Sequence, residues 1–427
     1  MKVTSAREQG FHPIVVVSAI GRKGAPYATD TLLGLLRDID PTVDPEDREV
    51  DLMIACGEIF SAVIFAQTLK TLGLTAQAFR GGQAGIRTDG VFGNARIVGI
   101  NPIALQKSLQ AGVIPVVCGF QGVFISEHGM PGGELTTLGR GGSDTTAAAL
   151  GAATLADAVE IYTDVEGVKT ADPDFVPRAS TLRRVSYDEV AEIAHLGAKV
   201  LHPRAAEIAM KYNIPLWVKS TFSQDQGTEI VNSSQVPDRR VTGVTHTGKL
   251  VYMQFRLHEA STQSRIHIES RIYELMAKYG INLHMMNLSQ SAIGFAVPRD
   301  QFAMAEDLLD GLVIPISGAD GGIFMIQMGK EASLEAETQA SLLTELGKVH
   351  TVVVELTEGC TMVSVIGHGY MQQPGVFYRV LKVLHDQQIK VLQTSDSDLS
   401  LSCLISESET HRAVSALHDE FELSAVS

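Results

Sequence analysis

The first two hundred residues alternate short apolar runs with longer segments of helical periodicity. Apolar runs at 14–17, 113–118 and 158–163 predict buried strands, and the segments at 51–73 and 102–111 predict helices. Strands that alternate with helices form mainly parallel sheets, which helices cover on both faces. We therefore expect an α/β fold with a mainly parallel sheet sandwiched by helices, and ligands bind such sheets at the carboxyl ends of the strands.

A segment rich in Ser, Gln, Asp and Gly, at 220–240, marks the end of this first domain. Two weak repeats follow, each with the order strand, helix, strand, strand, helix, which approaches the ferredoxin-like order βαββαβ when a shared strand completes each sheet. The predicted segments are a first domain at 1–232, a linker with the first shared strand at 233–249, one repeat at 250–325, an extra helix and strand at 326–358, and a second repeat at 359–427.

Composition excludes several classes of partner. The chain of 427 residues has a formal net charge of −15, which argues against nucleic acid or an anionic membrane surface. No apolar run in the sequence is long enough to predict a membrane span. Four scattered cysteines lack the spacing of a disulfide framework or a metal site, and therefore predict reduced thiols in a cytoplasmic protein.

Open sheet edges in the repeats are expected to pair with each other or with a second subunit.

A glycine-rich stretch around Arg140 is the strongest candidate for a ligand site. Gly139, Gly141 and Gly142 surround the arginine, Ser143 follows, and an alanine-rich run then predicts a helix. Glycines let backbone N–H groups approach an anion at a helix N-terminus, and a guanidinium suits a carboxylate or a phosphate. The alternative is an ordinary turn before a core helix.

Other polar residues have two readings each. Thr163 and Asp164 follow the third predicted strand, where they either contact a nucleotide or cap a turn. Lys199 lies close to a glycine and could reach a phosphate, whereas the histidines on either side of it have no spacing typical of metal ligands. Glu58 either binds a substrate ammonium group or belongs to a solvated helix face.

Seven motifs in sequence order make the chain resemble the aspartokinase family. They lie at 15–19, 29–33, 57–58, 119–122, 139–144, 162–167 and 197–203. The resemblance covers residues 10–427 and implies the amino-acid kinase fold, followed by two ACT regulatory domains at the two repeats. Segments 21–30 and 392–397 are similar to the diaminopimelate-sensitive aspartokinases of spore-forming Gram-positive bacteria.

This resemblance implies transfer of the γ-phosphoryl group of ATP to the side-chain carboxylate of L-aspartate, with Mg²⁺ bridging the phosphates. That carboxylate, with a pKa of about 4, is ionised at pH 7, so the reaction needs no general base. By resemblance, Arg140 binds the substrate α-carboxylate, Glu58 binds the ammonium group, and Thr29 is a further substrate contact. The other implied positions are substrate contacts at Gly141, Gly142 and Ser143, a catalytic carboxylate at Asp144, and nucleotide contacts at Thr163, Asp164, Lys169 and Lys199. No residue is assigned as a metal ligand.

The resemblance also implies feedback inhibition by an end-product amino acid of the pathway toward diaminopimelate and lysine. Meso-diaminopimelate, lysine and threonine are the candidate effectors, bound between ACT domains that also join the chains of a homo-oligomer. The Gly-rich turn from Gly367 to Val376 supports a ligand site there. Asn287, Ser289 and the segment 393–397 are candidate contacts, or else ordinary polar strand ends.

The chain departs from the family at three places. The family opens on a strand that ends in Lys-Phe-Gly-Gly-Thr-Ser, which is absent here. Either the missing residues are encoded upstream of Met1, which we favour, or the chain is an impaired, amino-acid-sensing regulatory subunit. Asp174 stands where the family has an arginine, for which Arg178 could compensate, and Lys169 stands where an aromatic residue is common. Another amino-acid or carbamate kinase of the same fold is the remaining alternative.

Overall fold

The computed structural model describes residues 2–22, 24–126, 132–198, 200–237, 239–257, 261–289, 292–316, 322–328, 349–368 and 375–425. In its first half the helices are α1 (Lys2–Glu8), α2 (Thr29–Arg37), α3 (Asp47–Ile54), α4 (Cys56–Thr71), α5 (Ile103–Gln110), α6 (Gly142–Thr154), α7 (Tyr187–His195) and α8 (Pro203–Tyr212). The strands are β1 (Val15–Val17), β2 (Ala76–Phe79), β3 (Ile86–Thr88), β4 (Ile97–Ile100), β5 (Ile114–Cys118), β6 (Gln121–Phe124), β7 (Glu134–Thr137), β8 (Val159–Thr163), β9 (Arg184–Ser186), β10 (Leu216–Ser220) and β11 (Thr228–Val231).

A parallel sheet of order β1-β5-β2 forms the centre of this first half. Its strands are short apolar runs, and β5 is buried along its whole length. Ala62, Ala66 and Leu69 of α4 pack on one face of the sheet. Leu105 of α5 and Leu150 of α6 belong to the cluster on the other face. The prediction of a parallel sheet covered on both faces by helices is therefore confirmed.

Two further sheets complete the first half. One has the order β8-β10-β11-β9, in which β8 and β10 run parallel, and the other has the order β4-β3-β6-β7. The Ser-, Gln-, Asp- and Gly-rich segment at 220–240 contains β11, which pairs with β10 and β9.

One helical stretch, Asp47–Thr71, is long and apolar enough to cross a membrane by length and composition, because it contains an 18-residue segment with a mean hydropathy of 1.8. The core helix of a soluble protein meets the same criteria, and 44% of that segment is buried inside the protein. Its second part, α4, is apolar on every side and packs one face on β2 and β5, whereas Phe60, Val63 and Ile64 are exposed.

The second half contains one continuous eight-stranded sheet. Its helices are α9 (Thr262–Lys278), α10 (Arg299–Leu309), α11 (Val376–Asp386) and α12 (Thr410–Glu420). Its strands are β12 (Gly243–Arg256), β13 (His284–Leu288), β14 (Ala292–Pro298), β15 (Val313–Ile316), β16 (Gly322–Met328), β17 (Val349–Ile366), β18 (Gln393–Asp396) and β19 (Ser400–Ser406).

The long antiparallel strands β12 and β17 are shared by both repeats. Residues 250–256 of β12 pair with β14 in the first repeat, whereas residues 360–366 of β17 pair with β19 in the second. Helices α9 and α10 cover the first core, and α11 and α12 cover the second. The expected ferredoxin-like units completed by a shared strand are therefore present.

The predicted extra segment between the repeats is described only at its two ends. Strand β16 and the first part of β17 run parallel and extend the sheet of the first repeat. The helical pattern expected at 333–346 lies outside the described residues. In the second repeat, the strand between α11 and β19 is β18.

The two halves are in direct contact. The backbone oxygen of Leu196, just after α7, accepts hydrogen bonds from the hydroxyls of Thr245 and Thr247 in β12, at 3.3 and 2.8 Å. Glu192 of α7 accepts hydrogen bonds from Ser397 at 3.3 Å and Ser400 at 2.5 Å, at the turn between β18 and β19. The C-terminal end of α7 is therefore fixed by the second half of the chain.

Candidate active site

The ends of β1 and β5 meet the N-terminus of α6 at Gly119. The N–H of Gly119 donates to the backbone oxygen of Val17 at 3.0 Å. A Cβ atom on Gly119 would lie 2.7 Å from the hydroxyl oxygen of Ser143 and 2.9 Å from that same backbone oxygen. Glycine is required here because three segments of backbone and side chain approach each other too closely for any larger residue.

The glycine-rich turn before α6 has the left-handed conformation at two positions. Gly139 has φ of 73° and Gly141 has φ of 66°, and Gly141 is the N-cap of α6. A Cβ atom on Gly141 would lie 2.1 Å from Cγ of His202. Between these two glycines, Arg140 is exposed at the start of a thirteen-residue helix. The turn thus presents a guanidinium beside the positive end of a helix dipole, which favours an anion.

Asp144 lies in the first turn of α6 and is half-buried. Its Oδ2 accepts a hydrogen bond from the backbone N–H of His202 at 3.3 Å. Burial raises the pKa of Asp144, and the His202 N–H acts in the opposite direction by favouring the charged form. The segment at 197–203 therefore contacts this site through His202. The backbone N–H of His202 binds Asp144, and its ring lies against Gly141.

Glu58, in the first turn of α4, is only 3% exposed. Its Oε1 accepts a hydrogen bond from the N–H of Ala19 at 2.9 Å, and its Oε2 is buried with no hydrogen-bond partner among the described residues. Burial raises the pKa of Glu58 to about 7. The reading of Glu58 as part of a solvated face is wrong, because α4 turns this residue toward the end of β1. A buried carboxylate oxygen without a partner is a ready acceptor for a cationic group.

Thr163 and Asp164 lie at the end of β8, beside the end of β10. The Thr163 hydroxyl donates to Oδ1 of Asp164 at 3.1 Å, and Arg22 forms an exposed ion pair with Oδ2 of Asp164 at 2.9 Å. Of the other expected nucleotide contacts, Lys169 forms an ion pair with Glu166 at 2.6 Å. Lys199 lies outside the described residues.

The loop that follows β1 contacts both groups of residues. Ala19 binds Glu58, whereas Arg22, three residues later, binds Asp164. Thr29 is half-buried at the first position of α2, where this loop ends. Arg22 was not predicted as a site residue, although an arginine in a Gly-Arg-Lys-Gly loop between a strand and a helix is a signal in the sequence.

Among the described residues, no group of three or more His, Cys, Asp or Glu side chains is placed to hold a metal ion. Magnesium in phosphoryl-transfer enzymes is usually held by the phosphates themselves together with one or two carboxylates and water. The half-buried carboxylate of Asp144 suits the role of such a carboxylate ligand.

Comparisons with known proteins agree with this architecture. The Amino acid kinase family matches residues 2–220, and an ACT domain matches residues 363–421. Aspartokinase 1 of Bacillus subtilis is 37% identical over 428 residues, covering 99% of this chain and 94% of that protein. Aspartokinase of Bacillus sp. MGA3 is 37% identical over 425 residues, covering 99% of this chain and 92% of that protein.

Solved structures share the fold at lower identity. Aspartate kinase from Clostridium acetobutylicum superposes with a TM-score of 0.69 at 18% identity, covering 98% of this chain and 96% of that one. Aspartokinase III of E. coli, solved with aspartate and ADP, gives a TM-score of 0.67 at 23% identity, covering 92% and 80%. With a family match over half of its length and full-length relatives above 30% identity, the chain belongs to the aspartokinase family, the kinases that phosphorylate aspartate.

Proposed function

We propose that this chain transfers the γ-phosphoryl group of ATP to the side-chain carboxylate of L-aspartate and so forms 4-phospho-L-aspartate. The observation that carries the proposal is the presence of two complementary groups around Gly119, where the ends of β1 and β5 meet the N-terminus of α6. Glu58 of α4 binds Ala19 after β1 and keeps a buried oxygen that has no partner among the described residues, and Arg140 is exposed immediately before α6. A zwitterionic amino acid presents an ammonium group and an α-carboxylate, which suit these two side chains.

Substrate binding follows from these charges. Arg140 would hold the α-carboxylate in the field of the α6 N-terminus, with Gly141, Gly142 and Ser143 supplying backbone and hydroxyl contacts. Glu58 would hold the ammonium group, and Thr29 would contact the substrate from the start of α2. With the ammonium group and the α-carboxylate both fixed, the side-chain carboxylate of the substrate is directed away from Glu58 and Arg140.

The chemical step then depends on position and charge. The attacking carboxylate is ionised near neutral pH, so no residue has to remove a proton from it. Catalysis consists of in-line placement and of stabilising charge on the transferred group. Asp144 would organise this reacting centre through its hydrogen bond to the His202 backbone.

We place the nucleotide at the end of β8. Thr163 and Asp164 would contact it there, with Lys199 reaching the phosphates and Lys169 at the rim. Mg²⁺, held mainly by the phosphates and by Asp144, would offset their negative charge when bound. The ion pair between Arg22 and Asp164 places a further cation at this edge.

Regulation is the second part of the proposal. We infer that an end-product amino acid, from the set meso-diaminopimelate, lysine and threonine, binds between the ACT modules at 250–325 and 359–427. Asn287 donates to Oε1 of Gln393 at 3.0 Å, which joins candidate contacts of the two modules. The related E. coli aspartokinase III has been solved with lysine and aspartate in a T-state. We also propose a cytoplasmic homo-oligomer joined through these modules.

The test is ATP-dependent formation of aspartyl phosphate, trapped as the hydroxamate, by the purified chain. We expect activity with L-aspartate that is lost in Arg140→Met, and inhibition by at least one of the three effectors. A chain that binds an effector but forms no hydroxamate would instead be the sensing subunit considered from the sequence. A chain that phosphorylates another amino acid or carbamate in preference to aspartate would contradict the proposed substrate.

A further inference from the structure

Asp51, in α3, is completely buried and holds two distant segments of the chain. Its two carboxylate oxygens accept the N–H of Gly93 at 3.1 and 3.0 Å. Oδ2 also accepts the N–H of Thr137 at 2.8 Å, and Oδ1 accepts the Thr137 hydroxyl at 2.5 Å. Losing any of these bonds would leave part of a buried charge unsatisfied, so the carboxylate fixes the end of β7 firmly.

Arg204, in the first turn of α8, holds the next residue of the same segment. Its guanidinium donates to the backbone oxygen of Leu138 at 3.1 Å and to Oδ1 of Asn94 at 2.9 Å. Because Asn94 follows Gly93 directly, the segment bound by Asp51 and the one bound by Arg204 are continuous. The planar fork of an arginine sets both acceptors in one geometry, which a lysine ammonium group cannot reproduce.

The residue before Arg140 is fixed as well. Gly139 has φ of 73°, and a Cβ atom there would lie 3.0 Å from Oδ1 of Asn94. Three consecutive residues, 137–139, are therefore held by a buried carboxylate, a guanidinium and close packing. The exposed guanidinium of Arg140 follows immediately.

We propose that Asp51 and Arg204 are positioning residues that together aim Arg140 at the substrate α-carboxylate. The inference rests on the proposed substrate-binding role of Arg140. Neither side chain has to touch the substrate, because each acts through the backbone of the turn. A binding group that is held in place before the substrate arrives loses less entropy on binding.

Asp51→Asn and Arg204→Lys test the two clamps directly, and Thr137 offers a milder pair if Asp51→Asn does not fold. Thr137→Val keeps the β-branched shape but removes the hydroxyl that binds Asp51, whereas Thr137→Ser keeps the hydroxyl. Asp40→Asn is the matched control, because the exposed Asp40 carboxylate accepts the N–H and the hydroxyl of Thr42, at 2.9 and 2.7 Å, in the loop between α2 and α3.

We expect Asp51→Asn, Arg204→Lys and Thr137→Val to raise KM for aspartate about ten- to a hundredfold, while KM for ATP changes less than about threefold. Thr137→Ser and Asp40→Asn should stay close to the parent. If KM for aspartate and KM for ATP rise equally, or neither rises, the positioning role is overturned while the proposed reaction stands.

Amide hydrogen exchange in peptides covering 138–146 provides a readout that does not depend on catalysis. Exchange without ligand should be faster in Asp51→Asn and Arg204→Lys than in Asp40→Asn, and unchanged elsewhere in α6. If exchange does not change, the clamp is overturned. If the parent chain phosphorylates no aspartate, the proposed function fails, and the exchange result alone then decides whether the clamp exists.

Discussion

The backbone N–H of His202 donates to Oδ2 of Asp144 across 58 residues of sequence and joins the N-terminus of α8 to the first turn of α6. The His202 ring lies against Gly141 in the same turn. Five residues earlier, Gly197 packs so closely on β12 that a Cβ atom would lie 2.2 Å from the backbone oxygen of His246. One short segment therefore touches both the candidate active site and the second half of the chain.

Replacement of Gly141 by alanine should disrupt the turn by two separate effects. The left-handed backbone costs about 1–2 kcal/mol for an alanine, and the new methyl group would overlap the His202 ring. Gly112→Ala is the control, because Gly112 has φ of 74° with no atom within 4 Å of a Cβ. Urea unfolding should show a larger loss in the free energy of unfolding for Gly141→Ala than for Gly112→Ala. Gly141→Ala should also lose activity. Equal losses would mean that the ring moves aside freely.

Glu58→Gln should weaken aspartate binding selectively. Removing the charge opposite a buried ammonium group costs about 1.5–3 kcal/mol, so KM for aspartate should rise about ten- to a hundredfold. KM for ATP should change little. Glu49→Gln serves as the control, since Glu49 lies exposed on α3 beside Arg48. An unchanged KM for aspartate in Glu58→Gln would remove Glu58 from the substrate site.

The pH dependence of stability should identify Glu58 in the chain without ligand. Burial raises the pKa of Glu58 from 4.5 to about 7, so the folded state disfavours the ionised form. This destabilisation is absent below pH 4.5 and complete above pH 7, where it reaches about 3 kcal/mol. Glu58→Gln should therefore gain stability relative to the parent between pH 5 and pH 8 in urea titrations. A difference that does not vary with pH would contradict the raised pKa.

Aspartate should show the complementary trend. Its ammonium group favours ionised Glu58, so the rise in melting temperature produced by aspartate should be larger at pH 8 than at pH 6. Glu58→Gln should lose this difference between the two pH values.

Ser400→Ala should weaken feedback inhibition, because Ser400 in the second half of the chain binds Glu192 of α7. The uninhibited rate should stay within about threefold of the parent. Dose–response curves with the effector found active would show an increased inhibitory concentration. Ser406→Ala is the control, as Ser406 lies in the same strand but pairs with Ser408. Identical inhibition of both variants would exclude this contact from the coupling.

Local sequence patterns predicted the parts of the fold that depend on neighbouring residues. The predicted apolar runs correspond to β1, β5 and β8, and the glycines around Arg140 form a turn at a helix N-terminus. The orientation of Glu58 could not be predicted in this way, because α4 is apolar on every side and its periodicity does not distinguish the covered face.

Residues held by distant partners were also missed. Asp51 resembles an exposed acid in an amphipathic helix, and its burial depends on Gly93 and Thr137, which are 42 and 86 residues away. The pairing of β12 with β17 spans about a hundred residues and two register shifts. No local pattern specifies such contacts, since they follow from the packing of the whole domain.

The shared strands constrain the order in which the chain can fold as it is synthesised. Residues 243–247 of β12 pair with residues 362–366 of β17 and support a module whose last helix is α12. A ribosome therefore releases the first part of β12 more than a hundred residues before its partner strand exists. Until then, an unpaired strand edge is open to other chains, which favours aggregation. Production of this protein should consequently depend more on chaperones than production of its first half alone.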